Sequence, residues 1–110
     1  MTAKSNEEIA ASSGNVFADL GLPDAAELDT KARLGAAICQ IVDRRKLTQI
    51  EVAEKLGVNQ PKVSALLNYK LEGFSVERLM NFLVRLGHDV EIVVGNRPRS
   101  RAARIAVKAA

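Results

Sequence analysis

An all-α domain is the fold class this sequence predicts: a bundle of four to five helices with one short C-terminal β-strand. Three observations lead to it. Helix-capping residues recur, with Asp24, Thr48, Asn59 and Ser75 each opening an apolar run with a period of about 3.6 residues. The apolar share is 47%, yet with no Trp, one Tyr and three Phe the core must be built from Leu, Val, Ile and Ala, which favours helices over a sandwich. A chain of 110 residues has room for one core.

Residues 1–13 lack a sustained amphipathic period and are expected to form a disordered N-terminus. Val16, Phe17, Leu20 and Leu22 are too apolar for a free tail and are expected to pack on the bundle as an irregular or short helical arm. The first long helix starts at Pro23 and Asp24, the latter capping with Glu27 in the first turn, and runs to about Lys46. Leu28, Leu34, Ile38, Ile41 and Val42 make its inward stripe.

Thr48 and Glu51, three apart, form a capping box for a second helix, with Val52 and Leu56 on one face. Ala53 is small where another helix must come close, and Gly57 supplies a left-handed stop. Val58 is expected to be a buried turn residue. Asn59 caps a third helix, Pro61 falls in its first turn, and Val63 and Leu66, with Leu67, face inward. Val52, Ala53, Leu56, Val63 and Leu66 are therefore expected to be buried, and Gln60, Lys62 and Ser64 exposed. Ser75 opens a further helix with Val76, Leu79, Met80, Leu83 and Leu86 as its core stripe, ending at Gly87. Residues 89–94 alternate and are β-branched, which reads as a strand stopped by Gly95 and Pro98. A lone strand cannot satisfy its own hydrogen bonds, so it must pair with residues 15–17 or with its copy in a second chain, and the second is favoured. Residues 14–94 then form one domain, with 95–110 a basic flexible tail.

The net charge of +3 is unevenly spread: −4 over residues 1–43, +4 over 44–70, −2 over 71–94 and +5 over 95–110. Positive charge thus falls on the two paired short helices and on the tail, as phosphate contact would require. The tail can be a solvated segment, a DNA-backbone arm or a segment that folds onto a protein partner.

The block 47–68, with Leu47-Thr48-Gln49, Ala53, Gly57, Gln60-Pro61-Lys62-Val63-Ser64 and Leu66, resembles the lambda-repressor-like (Cro, XRE-type) helix-turn-helix family from end to end. The flanks, Asn-Val-Phe-Ala-Asp-Leu-Gly-Leu-Pro at 15–23 and Gly-His-Asp-Val-Glu-Ile-Val-Val at 87–94, resemble the HigA-type antitoxins of toxin–antitoxin pairs. That resemblance implies a helix-turn-helix domain with its motif at 48–68, and a repressor that binds a palindromic operator in double-stranded DNA. It further implies autoregulation of the operon and a toxin protein as partner, while the pairing of residues 89–94 with their copy would make a homodimer joined from Val90 to Val94. The alternative is an interaction module that only binds and neutralises a toxin, without specific DNA binding.

Position assigns the DNA roles. Gln60 is the leading base reader, since a Gln amide can pair bidentately with adenine; Lys62 can reach guanine or a phosphate, and Ser64 projects beside Gln60 four residues on. Asn59 stands at the leading end of the same helix. Gln49 can bond a phosphate at the second helix's N-terminus, or be a solvated residue there. Asn68, Tyr69 and Lys70 are expected to grip the backbone; Arg44, Arg45 and Lys46 can do so too, or simply complement their helix dipole.

Nothing recommends an enzyme. His88, the only histidine, has no metal-ligand neighbours in sequence and reads as a turn residue; phosphate-loop, nucleophile-elbow and zinc-protease motifs are missing. Neither cofactor nor metal is expected. Cys39 reads as a small buried hydrophobe. With no apolar run near 18 residues and with Glu7 and Glu8 near the start, a cytoplasmic, non-membrane protein is expected.

Overall fold

In the computed structural model residues 25–109 are described, and among them four helices follow one another. These are α1 (Ala25–Arg45), α2 (Gln49–Leu56), α3 (Gln60–Leu67) and α4 (Val76–Arg85). Three of their starts are those the capping residues predict. Thr48 Oγ1 accepts from the Glu51 N–H at 3.1 Å while Glu51 Oε1 accepts from the Thr48 N–H at 2.8 Å, completing the capping box. Asn59 Oδ1 accepts from the Lys62 N–H at 2.9 Å, and Ser75 Oγ from the Arg78 N–H at 3.0 Å. Asp24, residues 1–13 and the apolar arm at Val16, Phe17, Leu20 and Leu22 lie outside the described residues.

The four helices also end alike. Each closes on a left-handed residue: Lys46 (φ 54°), Gly57 (φ 71°), Tyr69 (φ 60°) and Gly87 (φ 89°). The next N–H then reaches back five residues, from Leu47 to the Val42 carbonyl, Val58 to Ala53, Lys70 to Ala65 and His88 to Leu83, at 2.8–3.1 Å. This Schellman geometry satisfies carbonyls that the helix end would otherwise leave bare. Glycine at 57 and 87 was legible as a stop. Lys46 and Tyr69 adopt the same backbone with a side chain, which only tertiary context can hold there.

Residues Lys31–Glu91 make one compact unit. Its core takes Leu34, Ile38, Ile41 and Val42 from α1, Val52 and Leu56 from α2, Val63 and Leu66 from α3, and Leu79, Phe82 and Leu83 from α4. Leu86, Leu71 and Phe74 complete it. Helix α2 packs on both α3 and α4. Phe74 meets Phe82 edge-on, with centroids 5.8 Å apart and planes at 74°. Arg45, at the end of α1, donates from Nη1 to the Leu86 carbonyl at 2.7 Å and so ties α1 to the end of α4. A second unit comprises, among the described residues, 25–30 and Ile92–Lys108. Within it the Thr30 hydroxyl bonds the Ala26 carbonyl at 2.9 Å. The Arg97 guanidinium bonds the Arg101 carbonyl at 2.8 Å across a turn that begins at Pro98.

Several sequence expectations need correcting. Residues 89–94 carry no ladder to another described segment, and Ile92, Val93 and Val94 are 74%, 82% and 92% exposed; residues 15–17, one of the two partners expected for a strand here, lie outside the described residues. A β-strand exists only through its neighbour, so the expectation turns on that second strand. Leu28 is exposed because, six residues before Leu34 at 100° per residue, it stands about 120° round the helix from the buried stripe. In α4, Phe82 is buried while Val76 and Met80 are only half-buried. Met80 stands about 100° to one side of Leu79, Phe82 about 60° to the other, and the core lies on the Phe82 side. Ala53 and Val58 are half-buried rather than buried.

Candidate nucleic-acid interface

The pair α2–α3 presents the chemistry. Val52 and Leu56 on α2 and Val63 and Leu66 on α3 bury the facing sides, so the opposite side of α3 is turned outward by default. Its leading residues are Asn59, Gln60 and Pro61, all exposed. Proline sits where the helix has no N–H to donate, so it extends the exposed edge without breaking the turn. Capping uses only the Oδ1 of Asn59, which leaves its amide N–H donors for a partner. Gln60 takes no part in capping α3, and its exposed amide is the most available polar group at this end.

Lys62 and Ser64 are half-buried rather than exposed. For Lys62 the cause is Phe74: the ammonium lies over the Phe74 ring, 5.2 Å from its centroid, while Arg78 approaches the same ring at 5.8 Å and the Phe82 ring at 5.6 Å. Sequence reasoning missed both Phe74 and Arg78 as members of this surface. A clue was present, since an apolar residue directly before a cap is placed to staple the helix start, and Phe74 precedes Ser75.

Along α3, Asn68 turns its amide back onto the Ser64 carbonyl at 2.8 Å, so part of it serves the helix end. Tyr69 and Lys70 are exposed after it. Tyr69 also shares a hydrogen bond with the thiol of Cys39 on α1, which pushes the phenol above its usual range. Burial pushes the Cys39 thiol up as well, with the Tyr69 bond acting the other way, and the Sγ lies 3.9 Å from the Leu67 carbonyl. A thiol raised in this way stays protonated at neutral pH and is a poor nucleophile. Cys39 is thus half-buried with polar partners, a tie between α1 and the end of α3, rather than a plain hydrophobe.

Gln49 is exposed in the first turn of α2, as the capping pattern predicts. Arg44 and Arg45 are exposed in the last turn of α1, with one nitrogen of Arg45 engaged by Leu86. Asn59, Lys62 and Lys70 come together around an open groove of about 400 Å³ beside α3. Gln49, Arg44 and Arg45 do not line that groove. Among the described residues no group of three or more His, Cys, Asp and Glu side chains could hold a metal, and no helix is long and apolar enough to cross a membrane.

A family model described as a helix-turn-helix domain matches residues 16–95. A solved structure described as an XRE-family transcriptional regulator is 62% identical and superposes with a TM-score of 0.76. That match covers 80% of this chain and 100% of the other. No curated protein resembles the chain closely enough to match.

Proposed function

The chain belongs to the XRE-type helix-turn-helix family, and from that premise we propose that it is a sequence-specific transcriptional repressor acting on a palindromic operator. The observation that supports this best is the outward edge of α3, where Asn59, Gln60 and Pro61 are exposed on a helix fixed from behind by Val63 and Leu66. A rigid helix with a free polar leading end can enter a major groove without first having to order. In this reading Gln60 reads a base, Ser64 supports it, and Gln49, Asn68, Lys70, Arg44 and Arg45 grip phosphates.

The repressor acts as a homodimer, two recognition helices set about 34 Å apart to meet successive major grooves. The segment from Val90 to Val94 is the proposed seam: Ile92, Val93 and Val94 are exposed, Val90 is half-buried, and the backbone carries no ladder to another described segment. The likeness of segments 15–23 and 87–94 to HigA-type antitoxins supports a finer role, in which the repressor controls its own operon in the cytoplasm and neutralises a co-encoded toxin.

Selection of duplexes from a random pool, followed by gel shift, tests the DNA reading. The parent should enrich a palindrome, and Gln60→Ala should relax preference at one base pair per half-site by about 1–3 kcal/mol while folding and salt dependence stay unchanged. Failure of the parent to enrich any sequence would sink it and leave the interaction module as the better account. Sedimentation of Ile92→Asp tests the seam, since a charge there should leave monomers if the strands pair.

A further inference from the structure

The geometry points to the groove beside α3 as the seat of one backbone phosphate of duplex DNA, with Lys62 serving that phosphate rather than a base. This rests on the proposed DNA reading and sharpens it. The groove of about 400 Å³ is lined by Asn59, Lys62, Lys70, Glu72, Gly73 and Phe74 among others. Phe74 and two lysines contribute to one lining, which suits a phosphate that the rest of a duplex also holds in place.

Phe74 fixes where the Lys62 charge stands. A lysine on a free helix face sweeps a wide arc, but here the ammonium is held 5.2 Å above a ring that is itself 2% exposed and packed edge-on against Phe82. Arg78 adds positive charge on the same two rings. Base reading asks a side chain to extend from α3 into the groove of the duplex; the Phe74 contact instead holds Lys62 along the flank of the helix, facing residues 70–74. A Cβ placed on Gly73 would lie in ordinary contact, 3.6 Å from Lys62 Nζ, so the ammonium stands directly beside residue 73.

Lys70 reaches the same groove because the chain turns at Tyr69. That residue is left-handed at φ 60°, and the turn is closed by the Lys70 N–H on the Ala65 carbonyl at 2.8 Å. The Asn59 amide, capped through its oxygen, has N–H donors left for the same anion. Glu72 is the one acid in the lining, and its carboxylate must work against a phosphate there. The assignment therefore predicts effects of both signs from one groove. Base discrimination on α3 falls to Gln60 and Ser64.

The test measures affinity against salt for the selected operator and for a scrambled duplex of equal length. Lys62→Met keeps the stem on Phe74 and removes the charge. It should weaken both duplexes by the same factor and shallow the slope of log affinity against log salt by about one unit, with base preference unchanged. Lys70→Met should do likewise, and Glu72→Gln should tighten both duplexes equally. A change of base preference in Lys62→Met, or an unaltered salt slope, would overturn the assignment while leaving the repressor reading intact. A parent that binds no duplex would overturn both. Inorganic phosphate added to the free chain should give no saturable shift of the Gly73 amide resonance, since two ammoniums hold a lone ion weakly; a saturable shift would make this a small-anion site instead.

Discussion

Helices α2 and α3 are both eight residues long and meet across residues 57–59, yet they are built for different ends. α2 follows every local rule: a reciprocal capping box, an acidic first turn, a basic last turn and a glycine stop. α3 has proline in its first turn, no charge of either sign at the favoured end, and a tyrosine where its left-handed stop falls. A left-handed non-glycine residue is disfavoured by about 1–2 kcal/mol. α2 is thus a scaffold whose sequence serves its own folding, whereas α3 keeps side chains its backbone would rather lose. Departures from local preference that are held in place by surrounding structure gather where a molecule works.

The sharpest way to break this division is to compare the two sides of α3. Leu66 is fully buried, and Leu66→Ala should lower folding stability by about 2–5 kcal/mol in chemical denaturation. Gln60→Ala, on the exposed side, should stay within about 0.5 kcal/mol of the parent. Equal losses from the two would mean that the exposed edge is a folding surface. Next in size is the crossing itself: Ala53→Leu should overpack the α2–α3 contact by about 1–3 kcal/mol, read as a lower Tm. A variant as stable as the parent would show that the half-buried Ala53 has room to spare.

A smaller effect separates the stops. Lys46→Gly and Tyr69→Gly relieve the left-handed strain but add freedom to the unfolded chain, so Lys46→Gly should gain about 0.5–1 kcal/mol. Tyr69→Gly should gain less, because it forfeits the bond to Cys39 and the packing over Gly35, whose Cβ position lies 3.7 Å from the ring. If the tyrosine were merely a tolerated stop, the two substitutions would gain alike.

How much of this was legible in the sequence follows the same division. Thr48, Asn59 and Ser75 as caps, and Gly57 and Gly87 as stops, act within a few residues of themselves, so a reader of the chain can find them. The tie from Arg45 to Leu86, 41 residues on, the seat of Lys62 on Phe74 and the link from Tyr69 to Cys39 arise only when the helices pack. No local pattern encodes them. Residues 89–94 are a different case: their alternation is a true β pattern, but a pattern states a preference and a ladder needs a second strand.

The last and smallest prediction concerns the acid side of α2. The Thr48 backbone N–H, then the Thr48 hydroxyl side of the capping box, hold the Glu51 carboxyl below its usual value near 4.5, with Lys55 one turn on adding to the effect. Folding thus weakens proton binding at Glu51, so the unfolded chain takes up the proton more readily. The contribution is fully present above the unfolded value near 4.5 and is lost as pH falls through the lower folded value. Other carboxylates add to acid unfolding, so the informative quantity is a difference between two proteins. Glu51→Gln keeps an acceptor for the Thr48 N–H but has no proton to gain. Parent and variant should be separated by a constant stability above about pH 5, and the gap should close as both are taken toward pH 3. A gap that stays constant over that whole range would mean that the capping box acts through its geometry alone, with no part played by the charge at the start of α2.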